Sequence, residues 1–431
     1  MQRIKISDGI HFNMIPQTKF KTNFFQVAFV TDLERKNTTP LSLLSGLLMR
    51  ASEKYPDIAA ISNRLDYLYD MSAAVHTYKK GERLVFCYQS DFLKNDYVPV
   101  GSEDLLCEAV EMFRQLVFKP RIIDGGFDSE LLSLEKTQLE KDIKSIINNK
   151  NAYAKKKCTE LMCEGEKYSI DPDGELDDID GITEKSLYCF YLDFLKTARV
   201  EIFFNGDGDA NYICKLFSEA FTEISDRAPV PLCKTFVTGE VKKQLLEVTE
   251  QMPVNQGKLA IGFRTGVEVT DEDSPALAVF NEVFGGSPVS KLFMNVREKM
   301  SLCYYCRSLP EAYKGVLFVL SGIESENRDK SLDAIMKELR DIQSGKVTQD
   351  ELDAAKLSLL CGFKSLYDNP ASLCGWYLAR IICDSFAEPE DIAKIIESTT
   401  VEDVVRVSKK VKPDTVYFLE GTGAPEGTEE E

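Results

Sequence analysis

Histidine is nearly missing: 431 residues hold two, His11 and His76, 65 positions apart. That scarcity excludes any metal motif built from two imidazoles at helical spacing. Positive charge is also short, with 52 Lys and Arg against 70 Asp and Glu and a net charge of −18. Such a balance repels a phosphate backbone, so no nucleic acid is expected as a partner, while a basic peptide or protein suits the charge. No apolar run approaches membrane-spanning length, and the opening "MQRIKISDGIHF" lacks an apolar signal core. No membrane association and a cytoplasmic location are expected. The twelve cysteines are scattered through apolar stretches and suit a reducing compartment, most of them as small buried hydrophobes.

What is present reads as one plan written twice. "NFFQVAFVTDLERKNTTPLSLLSGLLM" and "GKLAIGFRTGVEVTDEDSPALAVFNEVF" each show an alternating strand, a charged turn, and a proline (Pro40, Pro275) near the first turn of an apolar helix. A second amphipathic helix follows in each half and ends at Met71–Ser72 and Met300–Ser301. Further strands follow ("RLVFCYQ", "GVLFVLSGI"), then long helical patterns near 127–165 and 348–385, then the closing strands "RVEIFFNGD" and "DTVYFLEGT". The length prior asks for two or more domains. The boundaries read as a first repeat over 1–225, a proline-bearing linker over 226–236, a second repeat over 237–420 and a disordered acidic tail over 421–431.

The densest stretch is "FGGSPVSKLFMNVREKMSLCYYC". Cys303 and Cys306 have the spacing of a redox motif, but "LCYYCRS" reads as a strand, on which residues three apart face opposite sides. Core packing is therefore the expectation for both thiols. Gly285, Gly286 and Ser287 invite a phosphate-loop reading, yet no Gly-Lys-Ser/Thr follows. A helix N-terminus capped by Ser287, with Pro288 in the first turn, explains them better. On spacing alone Arg297 is a surface helix residue paired with a carboxylate beside Glu298, and Tyr304 a half-buried strand aromatic.

Gly285, Gly286, Ser287, Ser290, Leu292, Phe293, Arg297, Glu298, Lys299 and Tyr304 together resemble the second-domain signature of the insulinase-like (pitrilysin, mitochondrial-processing-peptidase-like, M16) metallopeptidase family. "VNQGKLAIGFRTG" and "LDYLYDMSA" are similar to a bacterial subgroup named for an association with elongation factor P modification, which accompanies a zinc-bearing sister chain. The resemblance implies an α+β fold of two homologous repeats, each an antiparallel-rich sheet packed by helices, forming half of a clamshell.

It also implies a zinc motif, His-x-x-Glu-His, on the first helix, and Ser42, Ser45 and Gly46 stand at those positions. Glu135 or Glu140 would answer to the family's third ligand, although a solvated helix face among lysines suits their charge pattern better. No metal is expected on this chain, and zinc is expected on a homologous partner subunit. The implied function is the non-zinc subunit of a two-chain zinc metallopeptidase, inactive alone. It would bind a peptide or protein substrate with help from Gly285, Gly286 and Ser287, and would contribute Arg297 and Tyr304 to the partner's active site in trans. The edge of the first sheet, near "AAVHTYKKG", would grip the peptide by strand addition. The alternative is a catalytically inactive paralogue acting as a peptide- or protein-binding scaffold.

Overall fold

Along the strand Thr22–Asp32, Phe25, Val27 and Phe29 face one way and Gln26 and Ala28 the other, and all five are buried. A strand covered on both faces reads as a near-continuous apolar run. This strand is central in a computed structural model that describes residues 1–224 and 226–422. Phe25 meets Phe217 at 5.1 Å and Phe113 meets Phe118 at 5.0 Å, both edge to face, in an aromatic core between this sheet and its helices.

The first sheet has six strands in the order Gln2–Ser7, Ile10–Pro16, Arg199–Gly206, Thr22–Asp32, Arg83–Leu93, Ala74–Lys80. The second has five, in the order Leu246–Met252, Lys412–Gly421, Gly257–Arg264, Val316–Ile323, Tyr305–Glu311. With the first strand set aside, the two orders coincide. Each sheet also contains one parallel pairing at the same place, Ile10–Pro16 with Arg199–Gly206 and Leu246–Met252 with Lys412–Gly421. The α+β duplication expected from the sequence is therefore the architecture found. Gly421 closes the last strand, and the expected acidic tail beyond Thr422 lies outside the described residues.

Two details of the repeat differ from the sequence reading. The first helix begins at Arg35, so Pro40 stands in its second turn, where the carbonyl four residues back receives no amide. The Met–Ser pairs are not equivalent either. In the first repeat the helix is closed by Met71 N–H donating to Leu65 O (3.1 Å), after left-handed Asp70. In the second, Leu302 N–H donates to Val296 O (3.2 Å), after left-handed Ser301. Both bonds reach back six residues, one more than the six-to-one bond of a Schellman motif, and they match Met71 with Leu302 rather than with Met300.

By contacts, the first unit comprises Met1–Lys144, Ile170–Lys234 and Asn369–Ala379, and the second comprises Ser145–Ser169, Thr235–Asp368 and the chain from Arg380. The helix Lys150–Met162 thus belongs to the second unit, where it lies on Gly262. A Cβ added there would come within 2.6 Å of Met162 Sδ. The end of this segment is held by buried charge. Glu166 takes Arg264 Nη2 and Lys314 Nζ, each at 2.5 Å, while Lys242 Nζ meets Asp414 at 3.1 Å and donates to the carbonyls of Leu161 and Met162.

Desolvation pushes the Glu166 carboxyl up, but the Arg264 and Lys314 charges outweigh it and hold it below the ordinary value of 4.5. A depressed carboxyl contributes stability above its unfolded pKa and loses it as pH falls through the folded one. The second unit is expected to weaken on acidification below pH 4.5, and Glu166→Gln to flatten that acid limb in thermal melts. Parallel acid limbs for wild type and variant would remove Glu166 from the account.

Candidate functional site

The first helix, Arg35–Leu47, carries the three positions of the expected zinc motif. Ser45 Oγ donates to Ser42 O at 2.7 Å, and Ser42 Oγ donates to Pro172 O at 3.3 Å, so both hydroxyls serve the backbone. Gly46 is where the helix admits a neighbour. A Cβ there would stand 1.9 Å from Glu135 Oε2, because the carboxylate of Glu135 occupies the space a side chain would need. Glu135, on the helix Ser129–Ser145, is 6 % exposed, and Arg50 Nε donates to its Oε1 at 2.5 Å. The solvated helix face expected for both glutamates holds only for Glu140, which is exposed and paired with Lys144. Glu135 is inward because Gly46 leaves a hollow and Arg50, four residues on, supplies the charge.

This donor set does not fit zinc. Two serine hydroxyls committed to carbonyls, a glycine, and a carboxylate bound to a guanidinium leave no imidazole or thiolate in reach. Among the described residues no three His, Cys, Asp or Glu side chains converge to hold a metal. The histidines lie on the second and sixth strands of the first sheet. Four strand spacings separate them by roughly 19 Å. His11 sits beside buried Glu201, and His76 stacks on Tyr78 at 5.5 Å. Burial lowers the pKa of both, against the charge of Glu201 in the case of His11.

In the second repeat, Arg297 and Tyr304 flank one helix–strand junction. The helical segment Leu292–Lys299 is wound with wide π turns and ends at left-handed Ser301, and the strand begins at Tyr305. Arg297 is 38 % exposed, with its guanidinium 4.5 Å above the Phe293 ring and Nη1 3.4 Å from Glu298. Tyr304 is 60 % exposed and precedes the strand rather than lying half-buried in it. Its hydroxyl donates to Glu324 Oε1 at 2.5 Å, and that carboxylate pushes the phenol pKa up.

The glycines before this junction are close-packed. A Cβ on Gly285 would stand 2.8 Å from the amide nitrogen of Ser308, and one on exposed Gly286 2.5 Å from Asn281 Nδ2. Ser287 is buried and turns its hydroxyl back to Glu282 O, so it does not cap the next helix; Ser290 Oγ accepts the Phe293 N–H at 3.4 Å instead. Cys303 and Cys306 are both buried in the core of the second unit, as core packing requires. Cys303 lies ahead of the strand, so strand alternation does not apply to it. The neighbouring Cys306, with Ser321 and the charge of Arg297, lowers the Cys303 pKa against desolvation, while Cys303 and burial push Cys306 up.

Arg50 and Glu324 are the two partners that sequence reasoning missed. Arg50 had a signal in its i+4 spacing from Gly46; Glu324, at the end of a different strand, had none.

Gly46→Ala tests the filled hollow. In a helix this change gains about 1 kcal/mol, but here the methyl must displace Glu135 from Arg50. The gain is expected in a Glu135→Ala background and is expected to vanish or reverse in wild type, read as a coupling free energy from denaturant unfolding. Equal gains in both backgrounds would show that Glu135 does not occupy the hollow. Arg50→Ala, which strands a buried carboxylate from a cation itself partly in water, is expected to cost about 1–3 kcal/mol.

A family model described as the peptidase M16 inactive domain matches residues 181–359. Over 414 residues the chain is 31 % identical to the probable inactive metalloprotease YmfF of Bacillus subtilis, covering 96 % of each chain. The uncharacterized zinc protease YmxG of the same bacterium is 31 % identical over 112 residues, 26 % of this chain and 27 % of that one. A conserved protein from Enterococcus faecalis V583 has the same fold with a TM-score of 0.89, at 29 % identity over 99 % of both chains. The peptidase M16 inactive domain from Pseudomonas fluorescens shares the fold with a TM-score of 0.78, at 19 % identity over 99 % of both chains. With the duplicated sheet and the second-repeat signature, the match along nearly all of YmfF establishes that this chain belongs to the peptidase M16 family.

Proposed function

We propose that this chain is the non-zinc subunit of a two-chain metallopeptidase that acts in the cytoplasm, with zinc on a homologous partner. The observation that carries the reading is the state of Arg297 and Tyr304. Tyr304 is exposed and Arg297 partly so at one junction, while among the described residues the first repeat offers zinc no donor set. A guanidinium and a phenol held this way suit a tetrahedral intermediate, whose oxygen gains negative charge as it forms. Arg297 Nη1 lies 3.4 Å from Glu298 and the guanidinium sits over Phe293, and its further N–H donors suit a substrate carbonyl.

The peptide would lie along a sheet edge, and Ala74–Lys80 is one edge strand of the first sheet. Of the glycine stretch, the exposed backbone of Gly286 is the part open to a substrate. Twelve free thiols accord with a reducing compartment. A second reading, a peptide-binding scaffold without catalysis, is favoured by one observation. The only proton of Tyr304 is already committed to Glu324.

The isolated chain is expected to hold no stoichiometric zinc after dialysis against excess metal and to cleave no peptide. Reconstituted with its zinc-bearing homologue, Tyr304→Phe should lower kcat about 100- to 1,000-fold, the usual cost of one oxyanion donor. Arg297→Lys should also raise KM. Size exclusion checks that the variants still assemble. Wild-type turnover from an assembled double variant would give the scaffold reading the lead.

A further inference from the structure

Tyr304 is held at two points at the end of one neighbouring strand, Val316–Ile323. Its backbone N–H donates to Gly322 O at 2.9 Å, and its hydroxyl donates to Glu324 Oε1 at 2.5 Å, two residues further on. Glu324 is itself set on fixed backbone. Ile323 before it pairs with Gly257, and the Ser325 hydroxyl after it both accepts the Gly421 N–H (3.2 Å) and donates to Gly421 O (3.3 Å). An exposed tyrosine next to a helix end would otherwise sample several rotamers.

We propose that Glu324 is the positioning residue for Tyr304, aiming the phenol and holding its one proton until a bound peptide takes that hydrogen bond over. This rests on the subunit reading above. A phenol has a single O–H, and its bond to a carboxylate is charge-assisted and stronger than one to a neutral acceptor. Tyr304 therefore reaches a substrate oxygen only by turning that O–H away from Glu324. The carboxylate left behind accepts an N–H instead, and an extended peptide backbone supplies both the accepting oxygen and the donating N–H. No bond is made or broken beyond this exchange of hydrogen bonds. Arg297 has further N–H donors and needs no such release, so the two residues differ in readiness.

The test uses the full chain with Glu324→Gln, which keeps the size and an accepting oxygen but removes the charge, and Glu324→Ala, which removes the acceptor. Each is made in wild-type and Tyr304→Phe backgrounds. The first readout needs no turnover: the 13Cζ resonance of Tyr304, identified by its loss in Tyr304→Phe, is followed as pH rises. It should ionise above the ordinary phenol range in wild type and move back toward it in Glu324→Gln. The second is cleavage by the reconstituted pair. Weakening a charged hydrogen bond to a neutral one should raise kcat/KM about 3- to 10-fold in Glu324→Gln, and Glu324→Ala should fall below wild type. Neither effect should survive in Tyr304→Phe. An unmoved resonance in Glu324→Gln overturns the inference, as do Glu324 effects that persist without the phenol. Failure of the subunit reading itself looks different: Tyr304→Phe then turns over like wild type while the resonance still moves.

Discussion

A carboxylate taken out of water has to be neutralised, and the way Glu135 is neutralised decides what the first repeat is. In a zinc peptidase a glutamate reaching toward the first helix would meet a metal. Here it meets Arg50, across a hollow left by Gly46. The guanidinium supplies positive charge and a directed donor, but it cannot bind and acidify a water molecule as a metal ion does. A side chain placed at position 46 would collide with that carboxylate.

The same constraint organises the rest of the chain. Glu201, fully buried, collects Arg3, Arg199 and Asn13 and ties the first three strands of the first sheet together. Glu166 and Asp414 collect Arg264, Lys314 and Lys242, and so fasten the end of the Lys150–Met162 helix to a sheet far from it in sequence. Buried pairs of this kind add little net stability over apolar packing, but removing one partner is costly. They act as registration pins that fix which segment sits where.

Arg297 and Tyr304 stand apart from this economy of charge. Neither fills a core and neither closes a buried network. Their surroundings are nonetheless built with care: close-packed Gly285, the Ser290 cap and the left-handed Ser301 closure. The junction thus holds Arg297 partly exposed and Tyr304 exposed, with the Tyr304 hydroxyl bonded to Glu324.

By itself the sequence determined the duplication, the α+β class, the family signature from Gly285 to Tyr304 and the lack of imidazole ligands, because periodicity and composition are local or countable properties. It also placed Gly46 on the helix that faces Glu135. It misjudged Glu135, since neighbouring lysines look alike whether a glutamate points out or in. It put Cys303 inside the strand because the strand's start is set by a helix closure at Ser301 that no propensity announces. The pairings Arg50–Glu135 and Tyr304–Glu324 were decided only by tertiary structure. Each joins residues on different elements, brought together by sheet order and helix packing, and a contact of that kind leaves no trace in the spacing of either partner.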